Sequence, residues 1–243
     1  RSCRFCLSGK AQLCSKRQLL GAHLSGAYAK YVAVPRSNVI VLPERVSLRE
    51  AALTEPLACA VHIANEAGLQ PTDKLFIAGA GPIGLFTLIT AKRFGVQEIT
   101  VQDINPERLE IVEALGGKAV RGDSAELSNE VTYTVLVDAV GLNVTRRLCL
   151  ELAQPGGRVI FSGLHAADSN LPMNTAIRNE LTLKGAFAYT PNDFETALQW
   201  ISEGQFRLEE WIKVAPLAEG KACFDLLLHS PGRIAKILLS VDS

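Results

Sequence analysis

The ten residues Leu75-Phe76-Ile77-Ala78-Gly79-Ala80-Gly81-Pro82-Ile83-Gly84 run from an unbroken apolar stretch into G-x-G-x-x-G and then into a helical pattern that continues to Phe94. Few architectures accept that order. An apolar run without polar alternation is a strand buried on both faces, and such strands belong to parallel sheets covered by helices. In the loop, Gly79 permits the tight turn, Gly81 lets a pyrophosphate approach the backbone, and Gly84 lets the helix pack close to the strand. Pro82 and Ile83 lie between them, at the helix start, where free N–H groups and the helix dipole favour phosphate charge.

The segments that follow keep the same rhythm. Ile99 to Gln102 reads as a second strand, and Asn105 caps a helix with Pro106 in its first turn, ending at Leu115 before Gly116-Gly117. Val135 to Val140 is a strand, a helix runs from about Val144 to Leu152, and Pro155-Gly156-Gly157 reads as a turn. Arg158 to Ser162 and Leu181 to Lys184 supply two further strands. The alternation defines an α/β chain with a doubly wound parallel sheet of Rossmann type. Asp103 closes the second strand, about twenty residues beyond the glycine loop. A carboxylate there accepts hydrogen bonds from an adenosine ribose and repels a 2′-phosphate, which favours NAD over NADP. Arg108 suits either a contact to adenine or phosphate, or a solvated helix face.

The flanks are different in kind. Tyr28 to Val34 and Val39 to Leu42 are short β-like pieces broken by Gly26, Pro35 and Pro43. Asn192 to Glu203 is an amphipathic helix with Phe194, Ala197, Leu198 and Ile201 on one face, and Ile234 to Val241 is a last strand. A β-rich segment before the α/β region and a short return after it suggest one domain inserted in another. Lys plus Arg and Asp plus Glu both number 25, so nothing electrostatic points to nucleic acid or an anionic membrane. No apolar run reaches the length of about 18 residues needed to span a bilayer, and no secretion signal is visible, so a cytoplasmic location is expected. In that compartment the six cysteines are expected as thiols or metal ligands. Cys3, Cys6 and Cys14 are spaced C-x2-C-x7-C, one ligand short of a tetrahedral zinc site. The sole methionine is Met173, so a processed start or a longer parent chain is expected.

Taken together, Glu55-Pro56-Leu57-Ala58-Cys59-Ala60-Val61-His62, the GAGPIG loop, Asp103 to Arg108, Ser162-Gly163-Leu164 after PGGRVIF, and LTLKGAFAY at 181–189 resemble the zinc-dependent medium-chain dehydrogenases. The likeness is to the branch holding sorbitol and other polyol dehydrogenases, galactitol-phosphate dehydrogenases and threonine dehydrogenase. It implies a remnant of a GroES-like, β-rich catalytic domain over 1–56 with a structural-zinc lobe, an NAD-binding Rossmann domain over 57–188, and a return to the catalytic domain over 189–243. In that family four cysteines spaced C-x2-C-x2-C-x7-C hold the structural zinc. Cys3, Cys6 and Cys14 match the last three, and the first would fall one residue before Arg1. Three free thiols in a loop are the other reading.

The resemblance also implies that Glu55 binds the catalytic zinc or holds its water, against a plain role as a helix cap or solvent-facing carboxylate. Cys59 is expected to pack inward, and His23 and His62 lack the family's Gly-His-Glu context. Ile83 should meet the pyrophosphate turn, Val140, Gly141, Ser162, Gly163 and Leu164 should line ribose and nicotinamide, and Ala186, Phe187 and Ala188 should finish that wall through their backbone. Sorbitol-type enzymes show Phe-Arg-Tyr where this chain has Phe187-Ala188-Tyr189, so the arginine for a sugar hydroxyl is missing; Tyr189 reaches either substrate or a backbone acceptor. The implied activity is zinc-dependent hydride transfer to NAD from a secondary alcohol of a polyol, sugar phosphate or hydroxy amino acid, in a homodimer or homotetramer. Residues 1–243 alone are expected to turn over negligibly, and an NAD-binding module without activity is the alternative. A zinc-free quinone reductase is disfavoured by the cysteines and Glu55. Asp103→Ala is expected to relax the preference for NAD over NADP, read as the ratio of their binding constants.

Overall fold

The structure, a computed structural model, describes residues 2–122, 127, 132–204 and 208–241. Arg1, Asp242 and Ser243, which close the expected first and last segments, lie outside the described residues. In chain order the elements are α1 (Arg4–Leu7), α2 (Leu48–Ala51), α3 (Thr54–Ala67), β1 (Lys74–Ala78), α4 (Pro82–Arg93), β2 (Glu98–Asp103), α5 (Pro106–Ala114), β3 (Lys118–Arg121), β4 (Tyr133–Asp138), α6 (Asn143–Glu151), β5 (Ala153–Phe161), α7 (Met173–Arg178), β6 (Thr182–Gly185), α8 (Pro191–Ser202), β7 (Ile212–Pro216), α9 (Gly220–His229) and β8 (Lys236–Ser240). They fall into two units, Pro56–Tyr189 and the combination of Arg1–Glu55 with Thr190–Ser243.

Pro56–Tyr189 holds a parallel sheet in the order β3-β2-β1-β4-β5-β6. This is the doubly wound order, and its strand order reverses between β1 and β4, which opens a crevice beyond their carboxyl ends. The pattern follows from burial. All of β1 after Lys74 is buried, so both faces are apolar and the strand can sit only in the middle of the sheet. Phe76 and Ala78 face a cluster with Tyr133, Leu136, Cys149, Leu150 and Ala176, and the Phe76 and Tyr133 rings lie 5.2 Å apart. Each large side chain so buried contributes about 1.5–3 kcal/mol. Asn105 caps α5 as its sequence indicates, accepting from the N–H groups of Glu107 at 2.9 Å and Arg108 at 3.4 Å, with Pro106 in the first turn.

The sheet differs from the sequence reading in two places. Strand β3 was not expected: it is a four-residue edge strand with Val120 its only buried side chain, too little apolar pattern to register. The turn expected at Pro155-Gly156-Gly157 is an irregularity inside β5. Ala153 pairs with Tyr133 and Arg158 with Val135, so five residues of β5 span two of β4 and the excess loops out. Gly156 adopts φ +74° there, and its N–H donates to Asn179 O at 2.7 Å.

In the other unit the expected β pieces at Tyr28–Val34 and Val39–Leu42 form no strand, so the segment is not β-rich. Alternating apolar residues make a strand only where a neighbour pairs with their backbone, and among the described residues none does. Tyr28, Tyr31 and Val41 are accordingly 70%, 83% and 89% exposed. Side chains instead tie this segment to the chain's last part: Arg45 Nη2 donates to Ser202 Oγ at 3.1 Å, Arg49 Nη2 to Ile212 O at 3.4 Å, and Tyr28 meets Phe224 edge-on at 5.7 Å. Strands β7 and β8 pair in parallel with α9 as their crossover.

At the amino edge of the main sheet Asp73 gathers four elements' ends. Its Oδ1 accepts from Thr134 Oγ1 at 2.7 Å and Arg158 Nη2 at 2.6 Å, and its Oδ2 accepts from the Gln70 N–H at 2.8 Å. Arg158 Nη1 also donates to the carbonyls of Ala67 and Gly68 at 2.8 Å, closing the end of α3. Removing the guanidinium takes the cationic partner from a buried carboxylate and a donor from each of two carbonyls. Arg158→Ala is expected to cost about 2–4 kcal/mol in urea denaturation, with cofactor-loop geometry untouched.

Candidate functional site

The carboxyl end of β1 is where backbone meets backbone. Gly79 sits at φ +101°, its N–H donates to Gln102 O at 2.7 Å, and a Cβ on it would lie 2.5 Å from Val140 Cγ2. A Cβ on Gly84 would stand 1.8 Å from Gly79 O. These two glycines are required by the protein's own packing. Gly81 is not: its φ is −71°, and a Cβ there would meet nothing within 4 Å. Gly81 is also the N-cap of α4, whose start has no side-chain cap and Pro82 in its first turn. The outcome is an open approach to a helix start whose N–H groups have no protein acceptor of the usual kind, the arrangement a pyrophosphate requires.

Asp103, buried at the end of β2, does more than its sequence position suggests. Its Oδ2 accepts from the Ala80 N–H at 2.6 Å and its Oδ1 from the Asn105 N–H at 2.8 Å. The carboxylate thus fixes the loop after β1 to the loop after β2 and, with a lone pair left on each oxygen, still presents acceptors to a diol. Arg108 is half-buried, with its Nε buried and without a hydrogen-bond partner.

The second wall comes from β4, β5 and β6. Cβ atoms built on Gly141 and Gly163 would lie 2.3 Å from Gly163 C and 2.1 Å from Gly141 N respectively, so Val140-Gly141 and Ser162-Gly163 touch through their main chains. Leu164 is exposed, and Ala186 is buried with its N–H donating to Phe161 O at 2.9 Å. Phe187, Ala188 and Tyr189 are half-buried, and Ala188 holds φ +52°, a conformation unusual for a residue with a Cβ. Sequence reasoning missed the group that gathers this wall, Asp138. Its main-chain oxygen accepts from the N–H groups of Ser162 at 3.0 Å and Gly163 at 2.9 Å, and its Oδ1 from those of Val140 at 3.1 Å and Gly141 at 2.9 Å. A polar residue closing an otherwise apolar buried strand was the available signal.

Glu55 stands exposed in the first turn of α3 and is not a member of the metal-capable cluster among the described residues. That cluster is Cys3, Cys6 and Cys14, whose sulfurs all lie within 4.8 Å of one another. The Cys3 and Cys6 sulfurs are 3.6 Å apart, and the Lys16 N–H donates to Cys14 Sγ at 3.4 Å. They line a cavity of about 500 Å³ with Ser15, Lys16 and Arg17 among its other walls. The Cys6 N–H, and then the Cys6 thiol, lower the Cys3 thiol to about 7, while sharing that bond raises Cys6. Cys149 lies in the core, where burial and then the Asp138 charge push its thiol far up. The donor set fits zinc: thiolates on one tetrahedral ion stand about 3.8 Å apart, and the cavity leaves a direction for a fourth ligand.

A parallel sheet in this strand order, with an open glycine cradle at its switch point and an acid closing β2, defines a Rossmann-type dinucleotide-binding fold. The family described as zinc-binding dehydrogenase matches residues 82–203, and the chain belongs to that family. A probable D-xylulose reductase A of Aspergillus clavatus is 31% identical over 225 residues, covering 87% of this chain. The chain spans 63% of that relative's length. Among solved structures, alcohol dehydrogenase TADH from Thermus sp. ATN1 superposes with a TM-score of 0.91 at 27% identity, covering 99% of this chain and 74% of its own. An alcohol dehydrogenase from E. coli CFT073, solved with NADH, shares the fold with a TM-score of 0.91 at 24% identity, over 98% of this chain and 73% of its own. The match to a family of zinc-binding dehydrogenases supports zinc as a cofactor.

The glycines separate two kinds of requirement. Gly84→Ala forces Gly79 O to move and is expected to lower thermal stability visibly. At Gly81 the gain in chain stiffness and the loss of a favourable cap offset each other, so Gly81→Ala should leave the melting temperature near wild type while weakening NADH binding about tenfold or more, measured by calorimetry.

Proposed function

We propose that this chain is the cofactor-binding part of a zinc-dependent oxidoreductase that moves hydride between a secondary alcohol and NAD. The single observation that carries the reading is the open space over Gly81 at the uncapped start of α4, beside a loop held by the Asp103 carboxylate. Gly79, Gly81, Pro82, Ile83 and Gly84 hold the pyrophosphate, Asp103 the adenosine ribose, and Arg108 supplies its unmet donor to the adenine half. Val140, Gly141, Ser162, Gly163 and Leu164, with the main chain of Ala186, Phe187 and Ala188, line the nicotinamide half. The substrate class is a polyol, sugar phosphate or hydroxy amino acid; the name of the xylulose reductase relative supports the first. Tyr189 is assigned to the substrate side.

Cys3, Cys6 and Cys14 would hold a structural zinc, and Glu55 would serve the catalytic one as ligand or as holder of its water. When bound, the catalytic metal lowers the pKa of the substrate hydroxyl so that hydride can leave. The chain's own share is to fix the dinucleotide and to exclude water through the wall at Gly141 and Gly163. The family resemblance supports a homodimer or homotetramer.

Titrating NADH and NADPH into the chain tests the cofactor assignment: NADH should bind more tightly, and absence of binding by either overturns it. Cobalt(II) tests the cysteines. It should give a thiolate charge-transfer absorption that Cys6→Ser abolishes. Cys3 loses its proton near 7, but Cys6 holds its proton above the usual thiol range and must release it to bind. Apparent metal affinity should therefore rise with pH through about 7 and go on rising into the range above an ordinary thiol, where Cys6 ionises.

A further inference from the structure

Asp138 is fully buried, yet only half of its carboxylate is hydrogen-bonded. Oδ1 accepts from the Val140 and Gly141 N–H groups, whereas Oδ2 has no hydrogen-bond partner and faces Arg146 Nε at 3.6 Å. That separation is an ion pair without a hydrogen bond. A buried charge paired only so loosely is costly, and it persists where the partner's other contacts repay the arrangement. Arg146 makes two such contacts. Its Nη1 donates to Ser169 Oγ at 2.8 Å, and its Nη2 donates to Gly163 O at 3.1 Å. One guanidinium on α6 therefore joins the loop leaving β4 to both ends of the loop leaving β5. Two further bonds run the same way, from the Asn170 N–H to Asn143 Oδ1 at 2.7 Å and from the Ala166 N–H to Gly141 O at 2.8 Å.

We propose that Arg146, acting with Asp138, is a positioning residue that holds the 162–169 loop against Val140-Gly141 so that their backbones form the nicotinamide-side wall. The inference rests on the cofactor reading above and names a determinant of one half of that site. Arg146 touches neither the glycine loop nor Asp103 by any of these bonds, so its direct contacts lie in the half of the crevice beyond β4 and β5. A fork of three donors in one plane does this where a lysine cannot, because only the fork reaches Asp138, Gly163 and Ser169 together.

The test compares two ligands that differ at one end. ADP-ribose carries the adenosine and pyrophosphate but no nicotinamide, so it reads the first half alone. In Arg146→Met the Kd for NADH should rise about tenfold while that for ADP-ribose changes less than about twofold. Arg146→Lys, which keeps the charge facing Asp138 but not the fork, should recover part of the loss. Should Arg146→Met fail to fold, Ser169→Ala removes one arm's acceptor only and should weaken NADH about threefold with ADP-ribose unchanged. Equal loss of both ligands assigns Arg146 to general stability and overturns the proposal, as does unchanged binding of both. Wild-type chain that binds neither ligand overturns the cofactor reading itself, a result visible before any variant is made.

Discussion

The structure depends on main chain packing against main chain at the carboxyl edge of one sheet. Two contacts set this edge, Gly84 against Gly79 and Gly141 against Gly163, and in each a single added methyl would overlap backbone atoms. Side chains can repack around a misfit; carbonyls and amides held in a sheet cannot. The first contact draws α4 onto β1 and leaves its start open. The second draws the β4 and β5 loops together into a wall.

Buried aspartates organise what the glycines allow. Asp73 works at the amino edge, Asp103 and Asp138 at the carboxyl edge, and each accepts N–H groups from turns that follow or precede strands. Backbone amides that leave a strand lose their ladder partners, and a carboxylate that accepts several of them replaces those bonds with stronger, charged ones. Asp103 alone combines this structural duty with an acceptor edge toward the crevice. In the proposed reading ribose recognition and loop order fall to one group, which would couple selectivity for the dinucleotide to its overall affinity.

Much of this was legible in the sequence because it is local. The strand before GAGPIG, the Asn105-Pro106 helix start and the spacing to Asp103 each depend on neighbours within a few residues, and the structure has all three. The cysteine cluster was legible for the same reason, as C-x2-C-x7-C closes on itself. What escaped depends on distant partners. Strand β3 exists because β2 offers it an edge, and the apolar pieces at 28–42 are not strands because, among the described residues, no strand pairs with them. Arg146 sits in an ordinary helical pattern, and nothing near it in sequence announces Gly163 or Ser169.

The irregularity in β5 has a consequence for how such a sheet tolerates change. The surplus residues leave the ladder at the amino edge, between Ala153 and Arg158, and pairing is back in phase from Arg158 with Val135 through Phe161 with Asp138. Length variation is absorbed where the strand begins, and the end that faces the crevice is insulated from it. Insertions or deletions around Gly156 fall where the ladder is already interrupted, outside the stretch from Arg158 to Phe161 that pairs in phase, which gives this fold one margin freer to diverge than the other.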